Sequence, residues 1–387
     1  MLTLIKNASV FAPDPLGHAD VLVADGRIAS VAPGIDVSGS VVDVFDAEGR
    51  WLLPGLVDAL THPAGGGGEG GFANRTSEVS FDTFVLAGVT SPVGALGTDS
   101  YGRGLDVLYG NVMSLRARGL SAYMYTGSYR VPADTITGDV TRDIVFVEPV
   151  IGMGEVAIAD HRSSQPTAQE LRRIAAETRL GGVISGRGGT VLVHVGDGPD
   201  RLGVLRAALA GSDLPARVFY PTHTNRNAEL LDEAIAFAKD GASIDFTAST
   251  LPEFIEQGEV DVLDAMARAQ AAGVPAERIT LSSDAGGSLP HYVDGELCGL
   301  KAASPGVLLE QVRRAMRENP QSVERVIASV TRNPAAALGL PDVGRVQAGA
   351  RANLLIIDAQ SGALHDVMGN GQWLLRAGEL TADYDGM

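Results

Sequence analysis

Eight short apolar or β-rich segments recur along this chain, near residues 56–62, 89–94, 121–126, 151–158, 190–195, 217–222, 242–247 and 278–283. Helical patterns lie between most of them, among them TAQELRRIAAETRL (167–180), AELLDEAIAFAKDG (228–241) and VDVLDAMARAQAAG (260–273). Strands separated by helices run parallel, because a tight hairpin cannot join them. Eight such units over roughly 230 residues is the count of a (β/α)8 barrel, with a doubly wound open sheet as the competitor.

The two ends of the chain have a different texture. Residues 1–50 alternate short β-type runs with turns, LTLIKNASVF, DVLVADGRIASVAP and VVDVFDAEG, with Asp25-Gly26 as a hairpin signal. After helices at 304–318 and 321–338, GRVQAGARANLLIIDA returns to the same texture. The reading is therefore an α/β chain: a barrel over 51–342, and a small β-sandwich domain built jointly from 1–50 and 343–387.

Composition narrows the class. A formal charge of -17 on 387 residues argues against a nucleic-acid or anionic-membrane surface, since both need clustered Lys and Arg. Cys298 stands alone and cannot form an internal disulfide. The start MLTLIKNASV lacks a secretory pattern, and no apolar stretch approaches 18 residues, so no membrane span is expected and a reducing cytoplasm is.

The chemistry concentrates at the first recurring segment. PGLVDALTHPAGGGGEGG (54–71) reads as a buried strand that runs into His62 and then four glycines before Glu69. Glycine lets main-chain groups approach a bound molecule closely, although a flexible surface loop with an incidental His is the plain alternative. His62, Glu155, His194, His223 and Asp284 all fall at or near the ends of the first, fourth, fifth, sixth and eighth strands, where such barrels carry their active sites. Singly, each has a structural alternative, a satisfied core His or a helix-capping Asp. Coincidence across five strands is harder to explain that way. Two neutral imidazoles and a carboxylate suit Zn2+ with a position left for water, and Asp284 is then placed as general base.

Several segments carry a specific resemblance: GGGGEGG (65–71), GTDS (97–100), TGSYRVP (126–132), ADHRSS (159–164), HVGD (194–197), PTHTNRN (221–227) and LSSDAGGS (281–288). With these the chain resembles the amidohydrolase superfamily, and within it the bacterial isoaspartyl (β-aspartyl) dipeptidases, over essentially its whole length. The resemblance implies a metal-dependent hydrolase that cleaves a β-aspartyl dipeptide or related amide by attack of metal-bound water, and a homo-oligomer. By the same resemblance Glu69 binds the substrate α-ammonium group, while Arg162 and Arg226 hold its carboxylates. Tyr129 polarises the scissile carbonyl, and Thr98 and Ser288 support the substrate.

Two departures from the family pattern stand out. Leu60-Thr61-His62 replaces His-x-His at the end of the first strand, and Glu155 occupies the position of the carboxylated, metal-bridging lysine. The resemblance assigns the buried metal to both strand-one histidines, the bridge and Asp284, and the second metal to the bridge, His194 and His223. Leucine at 60 removes a donor from the first set only. One ion per chain on Glu155, His194 and His223 is the reading, with His62 and Asp284 as outer or weak ligands; Zn2+ is expected, and Mn, Fe or Co also suit these donors. Alternatives are different chemistry on another small amino-acid metabolite, as deacylase, deaminase or lyase, and a non-catalytic ligand-binding descendant.

Overall fold

In the computed structural model of the chain, which describes residues 2–293 and 296–381, the eight strands are Leu56–Thr61, Val89–Gly94, Tyr123–Thr126, Val150–Ile158, Thr190–Val195, Phe219–Thr222, Ile244–Thr247 and Ile279–Ser282. The first six pair in chain order and the last two pair with each other, all parallel. Backbone bonds close the ring at both seams. Thr224 N donates to Asp245 O at 3.1 Å between the sixth and seventh strands. Asp284 N donates to Leu60 O at 3.1 Å and His62 N to Ala285 O at 2.6 Å, which returns the eighth strand to the first. The sheet is thus a closed (β/α)8 barrel, and the open-sheet alternative falls.

Period-two alternation decides which side chains enter the barrel. In the fifth strand Val191, Val193 and Val195 pack outward on the helix layer, and Leu192 packs in the interior cluster with Tyr125, Ile151 and Tyr220. His194 shares the face of Leu192. In the fourth strand the register slips by one residue, because Met153 and Val156 oppose Val191 and Val193. That bulge leaves Glu155 with an inward direction a regular strand would not give it.

The helix pattern over 167–180 is observed as Ala168–Ser185, opened by a capping box in which Thr167 and Glu170 exchange side-chain and backbone bonds. The pattern over 321–338 is two helices, Val323–Ser329 and Arg332–Ala337. Thr331 breaks between them at φ -137° and ψ -90°, and Pro334 has no N–H to bond back to Val330.

Both chain ends meet in one small β unit. Its strands, Leu2–Phe11, Pro15–Ala24, Arg27–Ala32, Val42–Asp46, Trp51–Pro54, Leu354–Ile357, Leu364–Gly369, Gln372–Arg376 and Glu379–Leu380, are hydrogen-bonded as a single mixed sheet of nine. Leu2–Phe11 forks, taking Val42–Asp46 beside its first half and Trp51–Pro54 beside its second. Ile5, Val21, Leu52, Leu354 and Ile356 give this sheet its own buried cluster. Asp25 and Gly26 have φ of 48° and 74°, both left-handed, as a two-residue hairpin turn requires. Residues 382–387, the end of the expected terminal domain, lie outside the described residues. No helix among the described residues is long and apolar enough to cross a membrane.

Candidate active site

Three ligand-type side chains converge at the carboxyl ends of the strands. Glu155, His194 and His223 are buried and present one donor atom each, all within 4.8 Å of one another, the group among the described residues arranged to hold a metal ion. His194 Nδ1 lies 2.9 Å from Glu155 Oε1 and His223 Nε2 lies 3.3 Å from the same oxygen. Glu155 Oε2 is buried with no hydrogen-bond partner. A buried carboxylate oxygen without a partner is costly in a protein interior, and a divalent cation is the group that these three donors fit.

Charge and burial set the protonation states. Burial opposes the ionised form of Glu155, but hydrogen bonds from His194 and His223 outweigh it and hold the carboxyl well below its usual range. Burial, with the nearby His194 and Arg226, pushes His223 down to about 4 against the pull of Glu155. A neutral imidazole is the form that binds metal, and Nδ1 of His223 lies 2.5 Å from Thr247 Oγ1, which leaves Nε2 for an ion.

His62 and Asp284 sit beside this group. His62 Nε2 lies 3.0 Å from Asp284 Oδ1 and 3.6 Å from Glu155 Oε2, and Nδ1 lies 3.1 Å from Ala95 O. Burial would depress the His62 pKa, yet the Asp284 and Glu155 carboxylates and the Ala95 carbonyl push it up to about 9. Leu60 is fully buried among Val57, Val93 and Tyr125 in the barrel interior.

Above the metal-type group opens a cavity of about 620 Å3 whose walls include Thr98, Tyr129, Arg162, Arg226 and Ser288. Its floor and rim are shaped by the glycine loop, where Gly65, Gly67 and Gly68 have φ of 78°, 87° and 99°. Gly66 N donates to Thr76 Oγ1 at 2.6 Å, and the same hydroxyl donates to Gly286 O at 2.6 Å, tying the loops after the first and eighth strands together. Glu69 is carried on this loop. Its Oε1 accepts from Thr98 Oγ1 at 2.7 Å and Arg162 Nη1 at 3.0 Å, while Oε2 is buried without a partner. Burial would raise the Glu69 carboxyl, but the bonds from Thr98 and Arg162 outweigh it and hold it below its usual value.

The two arginines differ. Arg162 is forked onto Asp160, Nε to Oδ1 at 2.9 Å and Nη2 to Oδ2 at 2.7 Å, with Nη1 on Glu69. Arg226 lines the cavity with Nε buried and without a hydrogen-bond partner, and the Glu259 carboxylate in the same wall feels its charge. Tyr129 is buried, its hydroxyl 2.8 Å from His194 Nδ1, and burial with the Glu155 charge keeps it a protonated donor far above neutral pH.

All eleven site residues singled out in the sequence are brought to this one end of the barrel. Sequence reading passed over three others that hold them. Asp160 grips both Arg162 and His194 Nε2, the latter at 2.9 Å; it lies inside ADHRSS, and its spacing to Arg162 was the available signal. Thr247 bonds His223, and Asn225 anchors Thr247 by accepting from its backbone N at 2.9 Å. Asn225 lies inside PTHTNRN, between His223 and Arg226, whereas nothing in the pattern around Thr247 points to a site.

A closed (β/α)8 barrel with imidazole and carboxylate donors at its carboxyl end and a small sheet shared by both chain ends defines a metal-dependent hydrolase class. The amidohydrolase family pattern matches residues 51–374, and the chain belongs to the amidohydrolase family. It is similar over its whole length to the β-aspartyl dipeptidase of Fervidobacterium islandicum AW-1, solved in complex with β-Asp-Leu, at 39% identity, TM-score 0.91 and full coverage of both chains. N-acetylglucosamine-6-phosphate deacetylase from Pasteurella multocida shares the fold at 16% identity and TM-score 0.64, with 96% of this chain and 99% of that one covered. Dihydropyrimidinase 2 of Caenorhabditis briggsae is 42% identical over 62 residues, which is 16% of this chain and only 12% of that relative.

Proposed function

We propose that this chain hydrolyses β-aspartyl dipeptides. The observation that carries the reading is the charge layout around the metal-type group: the Glu69 carboxylate, held through Oε1 by the cavity residues Thr98 and Arg162 with Oε2 unpaired, and the Arg226 cation in the wall of the same cavity. A β-aspartyl residue offers an α-ammonium and an α-carboxylate on the same carbon, and the dipeptide ends in a second carboxylate, so both side chains meet opposite charges. The full-length likeness to a β-aspartyl dipeptidase supports it further.

A divalent ion on Glu155, His194 and His223 would supply Lewis acidity and acidify a water; one zinc per chain is our reading. The remaining steps fall to side chains. Glu69 Oε2 receives the substrate ammonium group, with Thr98 fixing the other oxygen. Arg226 and Ser288 take a carboxylate. Tyr129 turns its O–H toward the scissile carbonyl oxygen and stabilises negative charge there as it develops. Asp284, one oxygen of which is held by His62, takes the proton released by the attacking water and passes it to the leaving nitrogen.

The test is hydrolysis of β-Asp-Leu beside α-Asp-Leu by zinc-loaded protein. Preferential release of leucine from the β-linked substrate is expected. Turnover of neither, with zinc bound, would overturn the reading.

A further inference from the structure

One carboxylate stands between the metal-type group and the substrate pocket. Asp160 is buried just past the fourth strand, with 5% of its side chain exposed. Its Oδ2 lies 2.9 Å from His194 Nε2 and accepts from Arg162 Nη2 at 2.7 Å, while Oδ1 accepts from Arg162 Nε at 2.9 Å and Arg162 N at 2.8 Å. Arg162 Nη2 and His194 Nε2 are only 3.4 Å apart, both converging on Asp160.

The donor count follows from chemistry. Arginine has only N–H donors, so at Asp160 Oδ2 it must donate; a carboxylate only accepts, so His194 Nε2 must carry a proton to bond there. Without an ion Nδ1 can likewise donate to Glu155 Oε1, 2.9 Å away; with Nε2 held protonated by Asp160, Nδ1 is the nitrogen that would give up its proton and offer a lone pair to an ion seated against Glu155. The backbone is built around this placement. A Cβ on Gly196, just past the strand that carries His194, would lie 2.3 Å from Ala159 O and 2.7 Å from Asp160 Cβ, and one on Gly198 would lie 2.6 Å from the same carbonyl. HVGDG lacks side chains where Ala159 and Asp160 need the space.

We propose that Asp160 is a positioning residue that serves two sites at once: it fixes the His194 tautomer that presents Nδ1 to a metal ion, and it locks the Arg162 fork so that only Nη1 reaches Glu69 and the substrate. The inference rests on the metal-dependent dipeptidase reading for its substrate half, and on the donor geometry alone for its metal half. A carboxylate that orients a ligand histidine typically changes metal affinity by about 10- to 100-fold when lost. Asn at 160 keeps the shape but retains a single acceptor oxygen for contacts that now use two.

The experiment compares wild type, Asp160→Asn and Arg162→Met in two measurements: zinc affinity by competition with a chelator, and KM against kcat for β-Asp-Leu. Arg162→Met should raise KM and leave zinc affinity within about twofold, whereas Asp160→Asn should raise KM and also weaken zinc by about 10- to 100-fold. Zinc affinity unchanged in Asp160→Asn, or KM unchanged, overturns the dual role. In case Asp160→Asn fails to fold, 15N spectra of histidine in the zinc-loaded wild type decide the metal half: His194 should be protonated on Nε2 and ligated through Nδ1, and the reverse assignment overturns it. If zinc-loaded wild type does not cleave β-Asp-Leu, the dipeptidase reading fails by itself, and the zinc and 15N measurements still support or overturn the role of Asp160.

Discussion

His62 Nε2 lies 3.0 Å from Asp284 Oδ1 and 3.6 Å from Glu155 Oε2, so one imidazole is shared between two buried or nearly buried carboxylates. Pushed up to about 9, it carries a positive charge at neutral pH. The corner beside Leu60, where a second divalent ion would need a donor, thus already holds its compensating cation and an apolar wall. Purified protein loaded in excess zinc should hold about one ion per chain by elemental analysis, because a missing imidazole weakens a site by at least the 10- to 100-fold of an outer contact. Leu60→His should move the stoichiometry toward about two. Two full ions in the unmodified chain would sink this account.

Glu155 supplies its carboxylate without any added carbon dioxide. A carbamylated lysine would make metal loading respond to bicarbonate, since the ligand would exist only when carbamylated. Zinc content and β-Asp-Leu turnover should therefore be the same in bicarbonate-depleted and bicarbonate-replete buffer. A several-fold gain on adding bicarbonate would contradict it.

Arg226 lines the cavity with no hydrogen-bond partner at Nε, whereas Arg162 is already committed to Asp160 and Glu69. Loss of a substrate-facing charge pair costs about 2–5 kcal/mol, so Arg226→Met should raise KM for β-Asp-Leu by about 30-fold or more with a smaller change in kcat. A KM within twofold of wild type would show that the substrate carboxylate lies elsewhere.

The barrel was legible because parallel strands between helices leave a period that eight segments repeat, and the ligand residues were legible because the carboxyl ends of those strands are where such side chains collect. The bulge that turns Glu155 inward was not, since one inserted residue changes no composition or period that a window can register. Nor could the sequence show that Arg162 is spoken for. Asp160, two residues away, looks like an ordinary loop acid until the fold brings His194 against it. Thr247 and Asn225 hold His223 through contacts 24 and 22 residues apart in the chain, which no local pattern encodes. The joining of the two chain ends in one β unit was read from their β texture as a sandwich, but their pairing into a single mixed sheet, and the forking of Leu2–Phe11, depend on pairings across the whole chain.

Asp58 is fully buried beneath the site, where its carboxylate accepts from Ser283 N at 3.0 Å and from the Ser283 hydroxyl. Burial drives its pKa from the ordinary 3.8 up to about 7, with the nearby Asp245 adding to the rise and the Ser283 bonds only partly offsetting it. The sign follows from proton binding: between about 4 and 7 the folded chain holds a proton that the unfolded chain has released, so ionising Asp58 lowers stability as pH rises through that window. Below it both states are protonated, and above it the loss is complete. Asp58→Asn stays neutral throughout and keeps an acceptor for Ser283. Its Tm relative to wild type should accordingly climb between pH 4 and pH 7 and then level off, measured by calorimetry on metal-free protein. A constant difference in Tm across that range would mean that Asp58 titrates at its ordinary value and that burial does not govern it.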